Sequence, residues 1–198
     1  MTIHVGEAAV GTLDEYARIP IAFAVTEVLD VVGDGPFTLV SRPVAAPFVK
    51  DYDAANQESL VSWAQRFHAL KHALIVARDD GTCVGGAVVV YDTPDVDMLE
   101  GRSDLAVLWD LRILPARRRQ GVGSAVFEAA ESWAAERGCR ELKVETQNIN
   151  AAACRFYARR GCVLRRVHGH AYAECPDEIQ LLWYKKLAHD SCERVSAG

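Results

Sequence analysis

Short hydrophobic runs separated by polar turns dominate the first half of the chain. Residues 21–32 and 37–44 are two such runs around the turn GDGP, and residues 73–78 and 83–91 are two more around DDGT. Strand-length hydrophobic runs joined by turns rich in Gly, Asp or Pro are typical of β-strands, and Asp-Gly is typical of a tight hairpin. The first half therefore predicts two pairs of strands, the second of them a hairpin.

Three other stretches flank these strands. Residues 1–20 are polar and predict an edge segment, whereas residues 92–104 predict a polar loop. Between the two strand pairs, residues 51–70 carry hydrophobic residues at helical spacing, which predicts a helix. Those hydrophobic positions are Leu60, Val61, Ala64, Phe67 and Leu70.

The second half of the chain alternates strands and helices. Residues 105–114 form a near-continuous hydrophobic run, which is typical of a strand buried on both faces. The stretch RRRQGVGSA follows it and begins a predicted helix that ends before Gly138, where a glycine cap is expected. The hydrophobic face of that helix consists of Val126, Phe127, Ala130, Trp133 and Ala134.

Three strands and a helix follow. Residues 141–146 predict a strand, and Asn150 is the expected N-cap of a helix that Gly161 ends. Two further strands are predicted around residues 162–172 and 179–187. This alternation predicts one α/β domain.

Composition and charge narrow the classes of function. The 198 residues are 50% hydrophobic and 25% charged, and the net charge of −5 predicts no nucleic-acid partner. The six cysteines form no CxxC pair and have no histidine cluster at zinc spacing, which predicts reduced structural thiols and no metal. The first residues lack the apolar core of a signal peptide, and no run reaches the ~18 apolar residues of a membrane helix. We therefore expect a cytoplasmic protein without a membrane partner.

The stretch RRRQGVGSA, residues 117–125, is a candidate anion site. The first turn of a helix has unpaired N–H groups and a partial positive charge, and glycine lets an anion approach the backbone closely. A P-loop is excluded because no GK[ST] follows at the required spacing, and a dinucleotide site is excluded because Val126 stands where GxGxxG needs its last glycine. The alternative is a solvated, arginine-rich helix start.

Two motifs resemble those of the GNAT superfamily of acetyl-CoA-dependent N-acetyltransferases. The first is R-x-x-G-x-G, which begins at Arg118 and in that family holds the pyrophosphate of coenzyme A. The second is an Asn followed seven residues later by a Tyr and then by a glycine, and Asn150, Tyr157 and Gly161 match it. The resemblance implies an α/β GNAT fold, with a central, mixed, mostly antiparallel β-sheet flanked by helices.

Further stretches resemble streptothricin acetyltransferases in order and spacing. They are FAVTEVLDVV, APFVKDYD, WDLRI, VETQNINAAACRFYARRG and LLWYKKL. The resemblance implies a single GNAT domain over residues 1–198, with a core of about 21–187 and frayed ends. Some of these proteins place a run of acids after the segment matching residues 51–53, where this chain has the single acid Glu58. The resemblance therefore supports the reaction, acetyl transfer, more strongly than it supports streptothricin as the substrate.

The resemblance also implies which residues hold the co-substrate, acetyl-CoA. The backbones of Leu111 and Ile113 would pair with the pantetheine arm as an added strand would, and the amides from Arg118 to Ser124 would hold the pyrophosphate. The implied set is Leu111, Ile113, Arg118, Arg119, Gln120, Gly121, Val122, Gly123, Ser124, Asn150 and Tyr157. Three arginines after Asn150 either face the adenosine or are solvated: Arg155, Arg159 and Arg160.

Acetyl transfer to an amine needs a deprotonated amine, a stabilised thioester oxygen and a proton donor for the leaving thiolate. The resemblance implies that Tyr157 is the general acid, and the alternative is a core aromatic. Glu145, twelve residues before Tyr157, and Asp110, inside the hydrophobic run, are candidate bases. A glutamate at the spacing of Glu145 serves ribosomal-protein alanine N-acetyltransferases. Each carboxylate could instead bind the substrate ammonium or form a salt bridge, Asp110 with Arg112, and a water chain could deprotonate the amine.

Acidic and aromatic residues are candidates for the acceptor side of the site. The acids lie in the predicted loop and are Asp95, Asp97, Glu100 and Asp104. The aromatic candidates are Trp63, Trp109 and Tyr172, with core positions as the alternative.

Three functions remain in competition. The first is acetylation of a streptothricin-like or aminoglycoside-like antibiotic, which would give resistance. The second is acetylation of a protein N-terminus, a polyamine or another small amine, and the third is a non-catalytic module that binds acetyl-CoA. The expected partner is thus a small-molecule amine, and the chain is expected to be a monomer or a homodimer.

Overall fold

The structure is a computed structural model that describes residues 2–55, 71–94 and 96–188. Its strands are β1 (Ile3–Ala8), β2 (Ala22–Val32), β3 (Thr38–Asp51), β4 (Lys71–Asp79), β5 (Thr82–Tyr91), β6 (Leu105–Ile113), β7 (Glu141–Gln147), β8 (Val163–His168) and β9 (Gln180–Lys186). Its α-helices are α1 (Leu13–Ala17), α2 (Tyr52–Ala55), α3 (Val122–Glu136) and α4 (Ala151–Arg159). Short 3₁₀ turns lie at Val10–Thr12, Asp97–Leu99 and Pro115–Arg117.

Seven of these strands form one sheet in the order β1-β4-β5-β6-β7-β9-β8, and β2 with β3 forms a separate ribbon. Neighbouring strands of the sheet run antiparallel, apart from β6 and β7, which run parallel. Helix α3 packs against β4, β5 and β6. The predicted class, a mixed and mostly antiparallel sheet flanked by helices, is confirmed.

The parallel strands β6 and β7 separate halfway along their length. Their pairing runs only from Leu105 opposite Glu141 to Leu108 opposite Val144. At this point β6 carries an extra residue, Trp109, relative to β5, and such a bulge bends the strand. The remainder of β6 therefore has an unpaired edge that faces a gap between the two strands.

Helix α3 begins and ends where the sequence predicts. Its hydrophobic face is buried against the sheet, with Phe127 fully inaccessible. At its C-terminus Gly138 has φ +82°, and the N–H groups of Gly138 and Cys139 donate to the carbonyls of Ala135 (3.0 Å) and Ala134 (3.1 Å). This Schellman pattern needs a left-handed residue, which glycine adopts without a Cβ penalty.

Helix α4 has the predicted side-chain cap. Asn150 Oδ1 accepts a hydrogen bond from the N–H of Ala153 at 3.1 Å. At the other end Gly161 has φ +82°, and the N–H of Cys162 donates to the carbonyl of Tyr157. The caps fix the length of α4 and so fix which of its side chains face the sheet.

Replacing Asn150 with alanine is expected to lower the free energy of unfolding by about 1 kcal/mol, because the alanine cannot accept the bond from Ala153. Urea denaturation would measure this loss. Asn150→Asp is the matched control, since it keeps an acceptor oxygen and should retain most of the stability. Equal stability of Asn150→Ala and the wild type would contradict the role of the cap.

Two predicted strand ends differ from the structure, and one predicted helix lies mostly outside the described residues. Strand β3 continues to Asp51 instead of ending at residue 44, because it pairs with β2 as far as Ala22. Strand β8 ends at His168, since His170 has φ +60° and turns the chain away. Within the predicted helix 51–70, the structure shows helix only at Tyr52–Ala55, and the hydrophobic positions from Leu60 to Leu70 lie outside the described residues.

The N-terminal segment contains more structure than its polar sequence predicts. Strand β1 lies at the edge of the sheet beside β4, as expected. Helix α1 and its neighbours are additional, and they bury Leu13, Tyr16 and Ile19 in a second core cluster. The fully buried Tyr16 reaches strand β6, where it contributes to the candidate site.

Candidate active site

A cavity of about 1620 Å³ lies where β6 and β7 separate. Its walls come from both strands, the turn after β6, helix α4, the ends of β2 and β3, and the segment between β8 and β9. These elements bring together most of the residues that the sequence singles out. Among the implied coenzyme-binding residues, Gln120 and Val122 do not line the cavity.

The turn before α3 presents a run of unpaired backbone N–H groups. Arg119 has φ +61° and Gly121 has φ +86°, and these left-handed residues turn the chain into the helix. Within the described chain, no N–H from Arg119 to Ser124 donates a hydrogen bond, and Ala125 makes the first helical bond, to the carbonyl of Gly121. Such N–H groups at a helix start bind anions. This geometry fits the predicted anion site.

The free run begins one residue later than predicted. The N–H of Arg118 already donates to the carbonyl of Pro115 at 3.3 Å, so it is not available to a phosphate in this arrangement. The guanidinium of Arg118 donates to the carbonyls of Ile113 (3.2 Å) and Ala22 (3.2 Å). Arg118 therefore ties the turn to the start of the β2–β3 ribbon.

Two other side chains of the turn also have partners within the protein. Gln120 Nε2 donates to the carbonyl of Ala116 at 2.9 Å, and the side chain of Val122 is buried in the core. These residues present only their backbones to an anion. The start of α3 approaches α4 closely, since a Cβ on Gly123 would lie 3.7 Å from the ring of Phe156.

Arginines of α4 border the same part of the cavity. Arg155 pairs with Glu27 of the ribbon at 2.5 Å, and Arg160 pairs with Glu128 of α3 at 2.8 Å. Arg159 also lines the cavity. Arg119 and Arg159 pair with no carboxylate among the described residues, so their positive charge at this wall of the cavity suits phosphate groups.

Tyr157 lies on the inner face of α4 and also lines the cavity. Its ring packs against Phe156 and Phe127, with centroid distances of 5.2 and 5.8 Å. Its hydroxyl makes no hydrogen bond to any residue that the structure describes. Burial raises the pKa of the Tyr157 phenol well above its usual value, so the hydroxyl remains protonated at neutral pH. Tyr157 is thus both a packed aromatic and a proton-bearing group at the cavity.

Asp110 is held in a charge-paired network. Arg112 Nε donates to both oxygens of Asp110 at 3.0 and 3.1 Å, and the Tyr16 hydroxyl donates to Oδ1. The remaining nitrogens of Arg112 bind Asp53, at 2.9 Å to Oδ2 and 2.8 Å to Oδ1. Asp110 therefore forms the salt bridge with Arg112 that the sequence left open as an alternative to a base.

Glu145 has a different environment. Its oxygens accept hydrogen bonds from the Tyr172 hydroxyl at 2.7 Å and from Gln180 Nε2 at 2.8 Å, and both donors are neutral. In the described ranges no Lys, Arg or His pairs with Glu145, although it is half-buried at the cavity wall. A carboxylate that hydrogen-bonds only to neutral donors has no cationic partner in the protein and attracts one.

The acidic residues of the loop 92–104 that the structure describes do not lie on the acceptor side of the cavity, contrary to the prediction from the sequence. Glu100 pairs with Lys143 (2.8 Å) and Arg166 (3.3 Å), and Asp104 pairs with Arg102 (2.9 Å). These two residues and Asp97 do not line the cavity, so their predicted role on the acceptor side is wrong. The buried Lys143 needs a carboxylate partner, which explains the position of Glu100. Asp95 and Trp63 lie outside the described residues.

Other residues supply the acidic lining. Besides Glu145, the carboxylates at the cavity are Asp53, Asp110, Glu174 and Glu178. Glu174 and Glu178 precede β9 in a segment whose sequence carries no motif, so spacing alone did not identify them. The predicted aromatic residues Trp109 and Tyr172 do line the cavity, and Trp109 is 39% exposed because it is the bulged residue.

The described ranges contain no group of three or more His, Cys, Asp or Glu side chains that could hold a metal ion. No helix in those ranges is long and apolar enough to cross a membrane. The five cysteines within them, Cys83, Cys139, Cys154, Cys162 and Cys175, are unpaired thiols.

The separated parallel strands, the free amides before α3 and the tyrosine of α4 are features of one class of enzyme. The model of the Acetyltransferase (GNAT) family matches residues 43–162, and the chain belongs to this family of acetyltransferases. The chain is 36% identical over 156 residues to streptothricin acetyltransferase A of Bacillus subtilis (strain 168), which covers 78% of this chain and 82% of that protein.

Solved structures show the same fold. Nourseothricin acetyltransferase superposes with a TM-score of 0.73 at 24% identity, over 95% of this chain and all of the other. A Bacillus anthracis (strain Ames) protein in complex with acetyl coenzyme A superposes with a TM-score of 0.78 at 23% identity, over 95% of this chain and 100% of that one. The predicted GNAT fold and the resemblance to streptothricin acetyltransferases are therefore confirmed.

Proposed function

We propose that the protein transfers the acetyl group of acetyl-CoA to an amine of a streptothricin-type cationic molecule and so inactivates it. The observation that carries this proposal is the asymmetry of the cavity. Its wall at α3 and α4 presents free amides and arginines, and its wall at β7 presents Glu145, a carboxylate that no cation pairs with among the described residues. The first wall suits phosphates, and the second suits an ammonium group. The similarity to streptothricin acetyltransferase A supports the choice of acceptor.

The residues present fit acetyl-CoA. The amides from Arg119 to Ser124 would hold its pyrophosphate, and the unpaired edge of β6 at Leu111 and Ile113 would pair with the pantetheine arm. Gly121 leaves open space above the turn, since a Cβ there would contact nothing within 4 Å. Asn150 would act mainly by capping α4, which carries Tyr157 into the cavity. Bound acetyl-CoA supplies an acetyl group activated as a thioester.

Glu145 would hold the acceptor amine and take its proton. An ammonium group has no lone pair, so it must lose a proton before it attacks the thioester carbon. The Tyr172 hydroxyl and the Gln180 amide fix the Glu145 carboxylate from the protein side, and the cavity side stays accessible to the amine. Asp110 would have a structural role, because Arg112 already neutralises its charge.

Tyr157 would complete the reaction as the proton donor. When the new carbon–nitrogen bond forms and the carbon–sulfur bond breaks, the thiolate leaves with an electron pair and takes up a proton. The Tyr157 hydroxyl holds such a proton at the cavity and has no competing partner among the described residues. After turnover the proton taken by Glu145 returns to solvent and Tyr157 is reprotonated, which restores both groups.

We also propose that residues 1–198 form one GNAT domain that acts in the cytoplasm as a monomer or a homodimer. The single sheet that joins strands from Ile3 to Lys186 supports one domain. The unpaired thiols support a reducing compartment.

Replacing Gly121 with alanine is expected to raise the KM for acetyl-CoA about fivefold to tenfold. The φ of +86° costs an L-residue ~1–2 kcal/mol, and the turn can avoid that cost only by moving its amides. Steady-state kinetics with varied acetyl-CoA would measure the change. Gly138→Ala is the matched control, because Gly138 has φ +82° and equally open space but ends α3 away from the cavity. An equal KM in both variants would contradict the role of the turn.

Steady-state release of free thiol from acetyl-CoA tests the proposed function. Streptothricin, kanamycin and spermidine are compared as acceptors with an acceptor-free blank, and binding of acetyl-CoA is measured separately by calorimetry. We expect the highest kcat/KM with streptothricin. Turnover that is higher with spermidine or kanamycin would reject the streptothricin-type acceptor. Binding of acetyl-CoA without turnover on any of the three amines would reject the proposed reaction on this acceptor class.

A further inference from the structure

A chain of hydrogen bonds connects helix α2 to Glu145. The Tyr52 hydroxyl donates to Gln147 Oε1, and Gln147 Nε2 donates to the Tyr172 hydroxyl oxygen at 2.9 Å. The Tyr172 hydroxyl in turn donates to Glu145 Oε1 at 2.7 Å. Gln147 and Glu145 are two residues apart on β7, so they lie on the same face of the strand. This chain of hydrogen bonds thus ends on Glu145, the carboxylate that the proposed function assigns to the acceptor amine.

The direction of the hydrogen-bond chain is fixed at its Glu145 end, because a carboxylate only accepts hydrogen bonds and therefore takes the Tyr172 proton. A phenol has one proton to donate, and an amide has an acceptor side and a donor side. Because the Gln147 oxygen faces the Tyr52 hydroxyl, its NH₂ group faces Tyr172. Tyr172 then accepts this bond and directs its own proton to Glu145. With the amide reversed, Tyr172 would donate to Gln147 and Glu145 would lose one of its two donors.

Residues on both sides of Tyr52 hold it in place. Asp51 Oδ1 accepts from the N–H of Asp53 at 3.0 Å, which caps the short helix α2. Asp53 is bound by the guanidinium of Arg112, and Lys50 forms a half-buried ion pair with Glu178 at 2.5 Å. Every residue of the stretch KDYD therefore has a separate contact that fixes the phenol beside Gln147. The ring of Tyr52 also packs against Phe23 at 5.5 Å.

We propose that Tyr52 and Gln147 are positioning residues for acetyl transfer. Tyr52 donates to the Gln147 oxygen and so stabilises the amide orientation in which Gln147 donates to Tyr172 and Tyr172 donates to Glu145. This inference rests on the proposed function, in which Glu145 binds and deprotonates the amine. Both residues line the cavity, but the proposed reaction gives neither a proton to transfer, so we expect their effect on catalysis to pass through Glu145.

A double-mutant cycle between Tyr52→Phe and Glu145→Gln tests the inference, with streptothricin as the acceptor. Phenylalanine keeps the packing on Phe23 and removes only the hydroxyl. We expect Tyr52→Phe alone to lower kcat/KM for the acceptor about tenfold, with an unchanged KM for acetyl-CoA. In the Glu145→Gln background the same change should have no further effect. Gln147→Leu should behave like Tyr52→Phe in both backgrounds.

Several outcomes would overturn the inference. A silent Tyr52→Phe, or losses that multiply in the double variant, would show that Tyr52 does not act through Glu145. Wild-type activity of Glu145→Gln alone would instead reject the proposed role of Glu145. A crystal structure of the Tyr52→Phe variant tests the positioning role independently of any activity measurement. We expect the Tyr172 hydroxyl to move out of hydrogen-bond distance of Glu145, whereas an unchanged contact would reject the positioning role.

Discussion

Replacing Tyr157 with phenylalanine is expected to lower kcat about 100-fold to 1000-fold, which is the usual contribution of a positioned proton donor. The ring would keep its contacts with Phe127 and Phe156, so the fold should not change. The lost group is a hydroxyl at the cavity wall whose pKa burial raises, so that it carries its proton at neutral pH. The leaving thiolate would then have to take its proton from water.

Thiol release measures the loss, and calorimetry with acetyl-CoA separates it from a loss of binding. The dissociation constant of acetyl-CoA should stay within about threefold of the wild-type value. Tyr91→Phe is the matched control, since the ring of Tyr91 packs on Trp133 at 5.5 Å and lies outside the cavity. A kcat of Tyr157→Phe that equals that of Tyr91→Phe would show that Tyr157 is only a packed aromatic.

Replacing Glu145 with glutamine should lower kcat/KM for the acceptor about 100-fold or more. Glutamine is nearly the same shape but can neither hold an ammonium group by charge nor take its proton. Because the donors to Glu145 are neutral, no cation is left unpaired by the change, and the free energy of unfolding should alter little. The expected result is an inactive but stable variant.

Asp110→Asn should have the opposite effect to Glu145→Gln, with a larger loss of stability than of activity. Asp110 is 10% exposed at its side chain and neutralises Arg112, so its removal leaves a buried guanidinium with Asp53 as its remaining carboxylate partner. Breaking such a pair costs about 3 kcal/mol. We expect a clear loss of stability in urea and a much smaller loss of kcat per folded molecule. A stable Asp110→Asn variant with abolished activity would make Asp110 the base.

Local signals in the sequence were enough to predict the helices that frame the site. Asn150 and Gly161 bound α4, and Gly138 ends α3, because caps depend on neighbours within a few residues. The R-x-x-G-x-G turn was identified by the same kind of short spacing. For this reason the fold family and the turn before α3 could be predicted from the amino-acid sequence alone.

Contacts between distant residues decided what the sequence left open. Glu145 and Asp110 looked equivalent along the chain, but Tyr172 reaches Glu145 across 27 residues and Arg112 reaches Asp53 across 59. Those contacts depend on sheet register and on the β2–β3 ribbon. The bulge at Trp109, which lies where β6 and β7 separate, falls within a near-continuous hydrophobic run whose pattern did not predict it.

The central claim is that one acetyl group passes from acetyl-CoA to an amine of streptothricin. Mass spectrometry of streptothricin after incubation with the enzyme and acetyl-CoA tests it most directly, with Tyr157→Phe and Glu145→Gln run in parallel. We predict a mass increase of one acetyl group on nearly all of the streptothricin with the wild type and on little of it with either variant. Unmodified streptothricin after incubation with a wild-type enzyme that binds acetyl-CoA would contradict the claim.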